Sequence, residues 1–145
     1  MTEEIKKLVL KDLSARVPYG VKVWYPNGFG AISTVRGIVD DICYFNENPT
    51  YGNFCHIEQV KPYLRPLSSM TEEEKEDLKQ EHIKDEKIYI EVIMKAANGD
   101  SSMRGKAIPH FAADWCNKYQ FDYRGLIPMG LALEATEGMY NKKEK

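Results

Sequence analysis

Apolar and polar positions change rhythm along this chain, and each rhythm predicts an element. In TEEIKKLVLKDLSAR, residues Ile5, Leu8, Val9 and Leu13 recur at helical spacing, Thr2 is placed to cap the start, and Glu3 and Glu4 suit the first turn. VPYG ends that helix, because proline cannot continue it and Gly20 supplies a turn. VKVWY alternates Val21, Val23 and Tyr25 against Lys22 and Trp24, the pattern of a half-buried strand. PNGFG carries the Asn-Gly turn signature, AISTVRGIV is a β-branched strand, Asp40 and Asp41 break it, and ICYF is a further short strand. The loop NENPTYGN leads to FCHIEQV, the last strand expected. Short strands this close together predict a strongly bent small sheet of the SH3-like barrel kind.

The rhythm then shifts. Pro62 and Pro66 in KPYLRP predict an extended or single-turn 3₁₀ crossover after the last strand. Thr71 and Glu74 fit a capping box, in which hydroxyl and carboxylate satisfy each other's backbone donors, so a surface helix is expected over 71–84. KIYIEVIMKA, residues 86–95, alternates Ile88, Ile90 and Val92 and is read as a strand, followed by a loop at NGDSSMRG. IPHFAADWCNKY places Ile108, Phe111, Ala112, Trp115 and Tyr119 on one helical face, with Pro109 near its first turn. FDYRGLIPMG reads as a short helix capped by Asp122 and ended by Gly130, and the remaining tail as extended. The fold expected is therefore α+β: an N-terminal helix and a small SH3-like β-barrel over residues 1–66, then a mainly helical region over 67–145 packed on it.

Composition narrows the function classes. The chain has 145 residues, 43% of them hydrophobic and 29% charged, enough for a core and a polar surface in one domain or two small ones. Its apolar runs fall far short of the roughly 20 residues of a membrane span, and the acidic start MTEEIKKLVLKDL lacks the features of a secretion signal. No membrane partner and a cytoplasmic location are expected. With no export signal, Cys43, Cys55 and Cys116 are expected as reduced thiols, although Cys43 and Cys55 fall on neighbouring predicted strands. Net charge of −2 argues against a dominant phosphate-neutralising surface. Residues 1–66 carry eight Lys/Arg against seven Asp/Glu and residues 67–145 twelve against fifteen, a contrast too small to identify a nucleic-acid partner.

Two unusual stretches, VKPYLRPLSSMTEEE and FDYRGLIPMGLALEATEGMY, occur here in order, with LSARVPYGVKV before them and DWCNKYQ leading into the second. Together they resemble a family of small uncharacterised proteins of gut anaerobic bacteria and of their phages and prophages. The resemblance covers about residues 8–75 and 112–141 and implies a mobile-element or gut-bacterial setting. It implies no activity, catalytic residue or cofactor.

A metal site from Cys43, Cys55, His56 and either His110 or Cys116 lacks CxxC-type knuckles, and adjacent Cys55 and His56 on a strand would face opposite ways. No cofactor is expected. A cysteine nucleophile needs an oriented base and oxyanion donors, and no local signature supplies them, which leaves a small Cys/His hydrolase as the alternative class. Asp40 and Asp41 are ordinary turn formers, and the acids from Glu72 to Asp77 make a solvated helical surface. The richest feature is aromatic. Nine of the sixteen aromatics fall within residues 1–66, interspersed with Lys22, Arg36, Lys61 and Arg65. Strand faces alternate, so some must point outward, where rings beside cations can stack bases or line a peptide groove. The candidate ligand residues are Lys22, Trp24, Tyr25, Arg36, Tyr63 and Arg65, joined by Tyr123 and Arg124 of FDYRGLI. The class expected is a non-enzymatic binding protein engaging a host protein or nucleic acid, with a structural or oligomeric component as a further alternative.

Overall fold

The structure, a computed structural model, describes residues 2–26, 32–45, 54–81 and 110–140, with the side chains of 78–81 and 110–112 excluded. In chain order it contains α1 (Glu3–Arg16), β1 (Lys22–Trp24), β2 (Ser33–Val39), β3 (Ile42–Phe45), β4 (Phe54–His56), β5 (Lys61–Leu64), α2 (Glu72–Glu81), α3 (His110–Lys118) and β6 (Leu133–Glu134). Single 3₁₀ turns occupy Val17–Tyr19, Ile57–Gln59 and Leu67–Ser69. The strands run in the order β4-β3-β2-β1-β5-β6, and every pairing among β1 to β5 is antiparallel.

The α+β class and the N-terminal helix are as expected, but the barrel is not closed. β4 and β6 are the outer strands of an open sheet among the described residues. Among the described residues the first half holds five strands, where the sequence predicts four, and β6 lies near the C-terminus. β5 forms from KPYL, the segment read as a crossover. A proline is admitted there because alternate residues of an antiparallel strand make no ladder bond to a given partner, so Pro62 can stand opposite Val23 without a missing donor. FCHIEQV is strand only as far as His56, where it tightens into a 3₁₀ turn before β5. The turn at 27–31, the loop at 46–53, the helix end beyond 81, the strand expected at 86–95 and the start of IPHFAADWCNKY lie outside the described residues.

Contacts divide the chain into two compact units, Met1–Tyr63 with Leu131–Leu133, and Leu64–Gly130 with Glu134–Lys145. In the first, Thr2 Oγ1 accepts the Ile5 N–H at 3.2 Å and starts α1 as the sequence indicates. The helix tightens into the 3₁₀ turn at Val17 and is released by Gly20 at φ +76°, a left-handed position that glycine takes without Cβ strain. Val9 and Leu13 of α1 join Val21, Val23, Tyr25, Val35, Cys43, Phe45, Cys55 and Ile57 in one apolar core. The alternation of VKVWY holds: Val21, Val23 and Tyr25 are buried, and Lys22 and Trp24 are half-exposed. Full burial of an aliphatic side chain contributes about 1.5–3 kcal/mol, so the sheet's inner face and α1 together supply the main driving force of this unit.

The second unit has a different centre. Met70, Trp115, Cys116, Phe121 and Tyr123 form its core, with Leu67, Ala113 and Tyr119 packed against them. The capping box is present as read: Thr71 Oγ1 accepts the Glu74 N–H at 3.1 Å, and Glu74 Oε1 accepts the Thr71 N–H at 3.0 Å. FDYRGLIPMG is not a helix. Asp122 does cap, accepting from the Leu126 and Ile127 amides at 2.8 and 2.9 Å. However, Gly125 at φ +78° and Gly130 at φ +77° leave the helical region, so 126–130 closes as turns. The tail is extended only at β6 and turns again over 137–140.

Candidate functional site on the outer sheet face

The residues flagged by sequence fall into three structural settings. Tyr25 is corrected first. It points into the core, 1% exposed, with its ring stacked on Phe45 at 4.4 Å between centroids, so it offers nothing to a ligand.

Arg65, Tyr123 and Arg124 lie in the second unit and are absorbed by its architecture. Arg65 grips Glu74 with two parallel bonds, Nη1 to Oε2 at 2.7 Å and Nη2 to Oε1 at 2.8 Å. Its guanidinium lies 4.2 Å from the centroid of Phe121, which stacks nearly parallel on Trp115. The Arg65 backbone donates to Gln120 O and accepts from the Asp122 amide, both at 2.8 Å. Burial by itself would push the Glu74 carboxyl up; Arg65 and the Thr71 amide and hydroxyl outweigh that and hold it below the ordinary carboxylate range. Arg65 is therefore a structural clamp, and its pairing with a residue nine positions away had no periodic signal to reveal it. Tyr123 is 8% exposed, and Arg124 lies over its ring at 4.7 Å, a local stack on a buried support.

Lys22, Trp24, Arg36 and Tyr63 are brought together, all in the first unit. The inner positions of β1 and β5, Val23 and Pro62, face each other, which places their neighbours on the outer face. There Trp24 stands opposite Lys61, and the same register sets Lys22 opposite Tyr63. Rings and ammonium groups thus alternate in a checkerboard, each half-exposed. Lys22 also stands opposite Thr34 of β2, its Nζ 3.4 Å from the hydroxyl. Arg36 follows Thr34 on the outer face by strand alternation, at the register shift of β2 on β3. Val35 pairs with Phe45 and Gly37 with Tyr44, so Arg36 is the extra residue in β2, and it is exposed. The sequence reading noted Lys61 as a nearby cation but did not single it out; strand pairing opposite Trp24 is what adds it.

Of the cysteine and metal candidates, Cys43, Cys55, His56 and Cys116 are among the described side chains and His110 is not. Cys43 and Cys55 are register partners on β3 and β4, and both are free thiols. Burial, with Cys55 alongside, pushes the Cys43 thiol up to about 12, and burial raises Cys55 as well, so neither is a ready nucleophile. His56 is exposed while Cys55 is buried, the opposite facing that a strand imposes. Cys116 is fully buried in the second core. Among the described residues, no three His, Cys, Asp or Glu side chains converge as metal ligands would. Asp41 forms an ion pair with Lys6 at 2.6 Å, and Asp40 takes the turn at φ +55°, both structural roles.

Comparison with protein-family models, with curated proteins and with solved structures finds no match for this chain.

Proposed function

We propose that the chain is a non-enzymatic binding protein, a phage or prophage accessory factor that engages a host protein or nucleic acid in the cytoplasm. The observation that carries this reading is the outer face of β1 and β5, where Lys22, Trp24, Lys61 and Tyr63 are half-exposed while their strand neighbours fill the core. A sheet that places aromatic and cationic side chains outward, with a packed interior behind them, presents a preorganised surface. The raised Cys43 and Cys55 thiols, and an exposed His56 on the opposite strand face from Cys55, weigh against the hydrolase class. The resemblance of VKPYLRPLSSMTEEE and FDYRGLIPMGLALEATEGMY supports the mobile-element setting. The order β4-β3-β2-β1-β5, with a 3₁₀ turn at Ile57–Gln59 before β5, supports an SH3-like arrangement in open form. No helix among the described residues is long and apolar enough to cross a membrane.

The reading is tested by immobilising the wild-type chain and Trp24→Leu, passing a gut-anaerobe lysate over both, and comparing retained protein and nucleic acid. Trp24→Leu should retain several-fold less of a specific component while its circular dichroism is unchanged. An identical retained set on both columns would remove this face as the ligand surface.

A further inference from the structure

The charge on this face is one-sided in a chain whose net charge is −2. β1, β2 and β5 together carry Lys22, Arg36 and Lys61 and no aspartate or glutamate. Such a local excess on an acidic protein is complementary to a polyanion. The positions of the rings say more. Trp24 and Tyr63 are diagonal neighbours across β1 and β5, and diagonal positions of an antiparallel pair lie roughly 7–8 Å apart. That is about twice the 3.4 Å rise between bases along one strand of a duplex. Rings carried on positions this far apart suit bases that have been spread, as in an extended single strand. The opposite diagonal holds Lys22 and Lys61, placed for the phosphates between those bases. Peptides recognised on sheets commonly add to a free strand edge. β1 lies between β2 and β5, and β5 between β1 and the two-residue β6, so among the described residues neither is an outer strand, and this face is offered by side chains.

We infer that the outer face of β1 and β5 binds single-stranded nucleic acid, with Trp24 and Tyr63 stacking on successive bases and Lys22, Lys61 and Arg36 holding phosphates. The inference rests on the reading of this face as the ligand surface and names the ligand class.

The experiment is fluorescence anisotropy with a labelled oligothymidylate of about a dozen nucleotides, within the site sizes such surfaces use, and with a duplex of the same length. The single strand should bind at low salt and weaken steeply as salt rises, by a log–log slope of about −0.7 for each phosphate contact. Trp24→Leu and Tyr63→Leu should each weaken binding about tenfold. Lys22→Ala and Lys61→Ala should each make the salt slope shallower by about one contact. Two results overturn the ligand class: no binding of the single strand at low salt, or binding unchanged by both ring substitutions. If oligothymidylate fails while a retained lysate protein depends on Trp24, the nucleic-acid assignment falls and the surface stands. If no ligand of either kind depends on Trp24 or Tyr63, both fall together.

Discussion

The apolar core of the first unit draws small contributions from a helix and several strands, whereas the second is organised around a file of stacked groups, Arg65 on Phe121 on Trp115. Aliphatic packing has no preferred direction, so many residues share the load and local periodicity records it. Stacking and forked ion pairs are directional, join residues distant in sequence and concentrate stability in few side chains. The first unit has one exception to its own style. Asp12 and Arg16, one turn apart on α1, form an ion pair with both side chains fully buried, Nε to Oδ2 at 2.8 Å and Nη2 to Oδ1 at 3.1 Å.

That exception gives the strongest way to break the contrast. Asp12→Ala leaves a guanidinium buried without its carboxylate and should cost about 3–5 kcal/mol in urea unfolding. The double substitution Asp12→Leu with Arg16→Met should recover most of the loss, since apolar side chains suit the surroundings. A single-substitution loss below about 1 kcal/mol would show that water reaches the pair and that the first unit is purely apolar in its energetics.

The next largest effect belongs to the clamp. Arg65→Ala should cost about 2–3 kcal/mol by stranding the buried Glu74 carboxylate, and Arg65→Lys should recover only part because an ammonium cannot reproduce the fork. Hydrogen exchange should then quicken around Phe121 and Asp122 more than in β1 to β3. The same pair gives the second unit a pH dependence of definite sign. The folded Glu74 carboxyl titrates below its ordinary value of 4.5, so its stabilisation is full above that value and is lost as pH falls through the lower folded one. Glu74→Gln should flatten the acid limb of the unfolding curve; an unchanged limb would assign the acid sensitivity to other carboxylates. The smallest effect is Thr71→Ala, about 1 kcal/mol for loss of the cap, read as a lower thermal midpoint and fraying at the start of α2.

The contrast also explains what the sequence could reveal. Val21, Val23 and Tyr25 were legible because alternation is a local signal, and Thr2 and the Thr71–Glu74 box because caps are written within a single helical turn. β5 was hidden by Pro62 and by Pro66 just beyond it, since prolines are read as strand breakers unless the pairing register is known. FDYRGLIPMG suggests a helix because the cap residue is real, but its two left-handed glycines, Gly125 and Gly130, look like any other glycine in sequence. Asp12 and Arg16 stand at the spacing of a helical ion pair, a signal that was present and went unused, since such pairs are ordinarily solvent-exposed. At the candidate site, the alternation placed Trp24 and Lys22 outward correctly. Tyr25 fails as a ligand residue because the alternation itself turns it inward, and Arg65 because composition cannot tell an open cation from one already clamped.

The two tryptophans give these questions a built-in optical readout. Trp115 is 3% exposed, stacked on Phe121, with its indole N–H 3.3 Å from Asp77, while Trp24 is half-exposed on a strand. Each compact unit therefore contains one tryptophan in a distinct environment. Replacing either by phenylalanine leaves the other as a label-free reporter, so emission wavelength and quencher access follow the loosening of each unit separately.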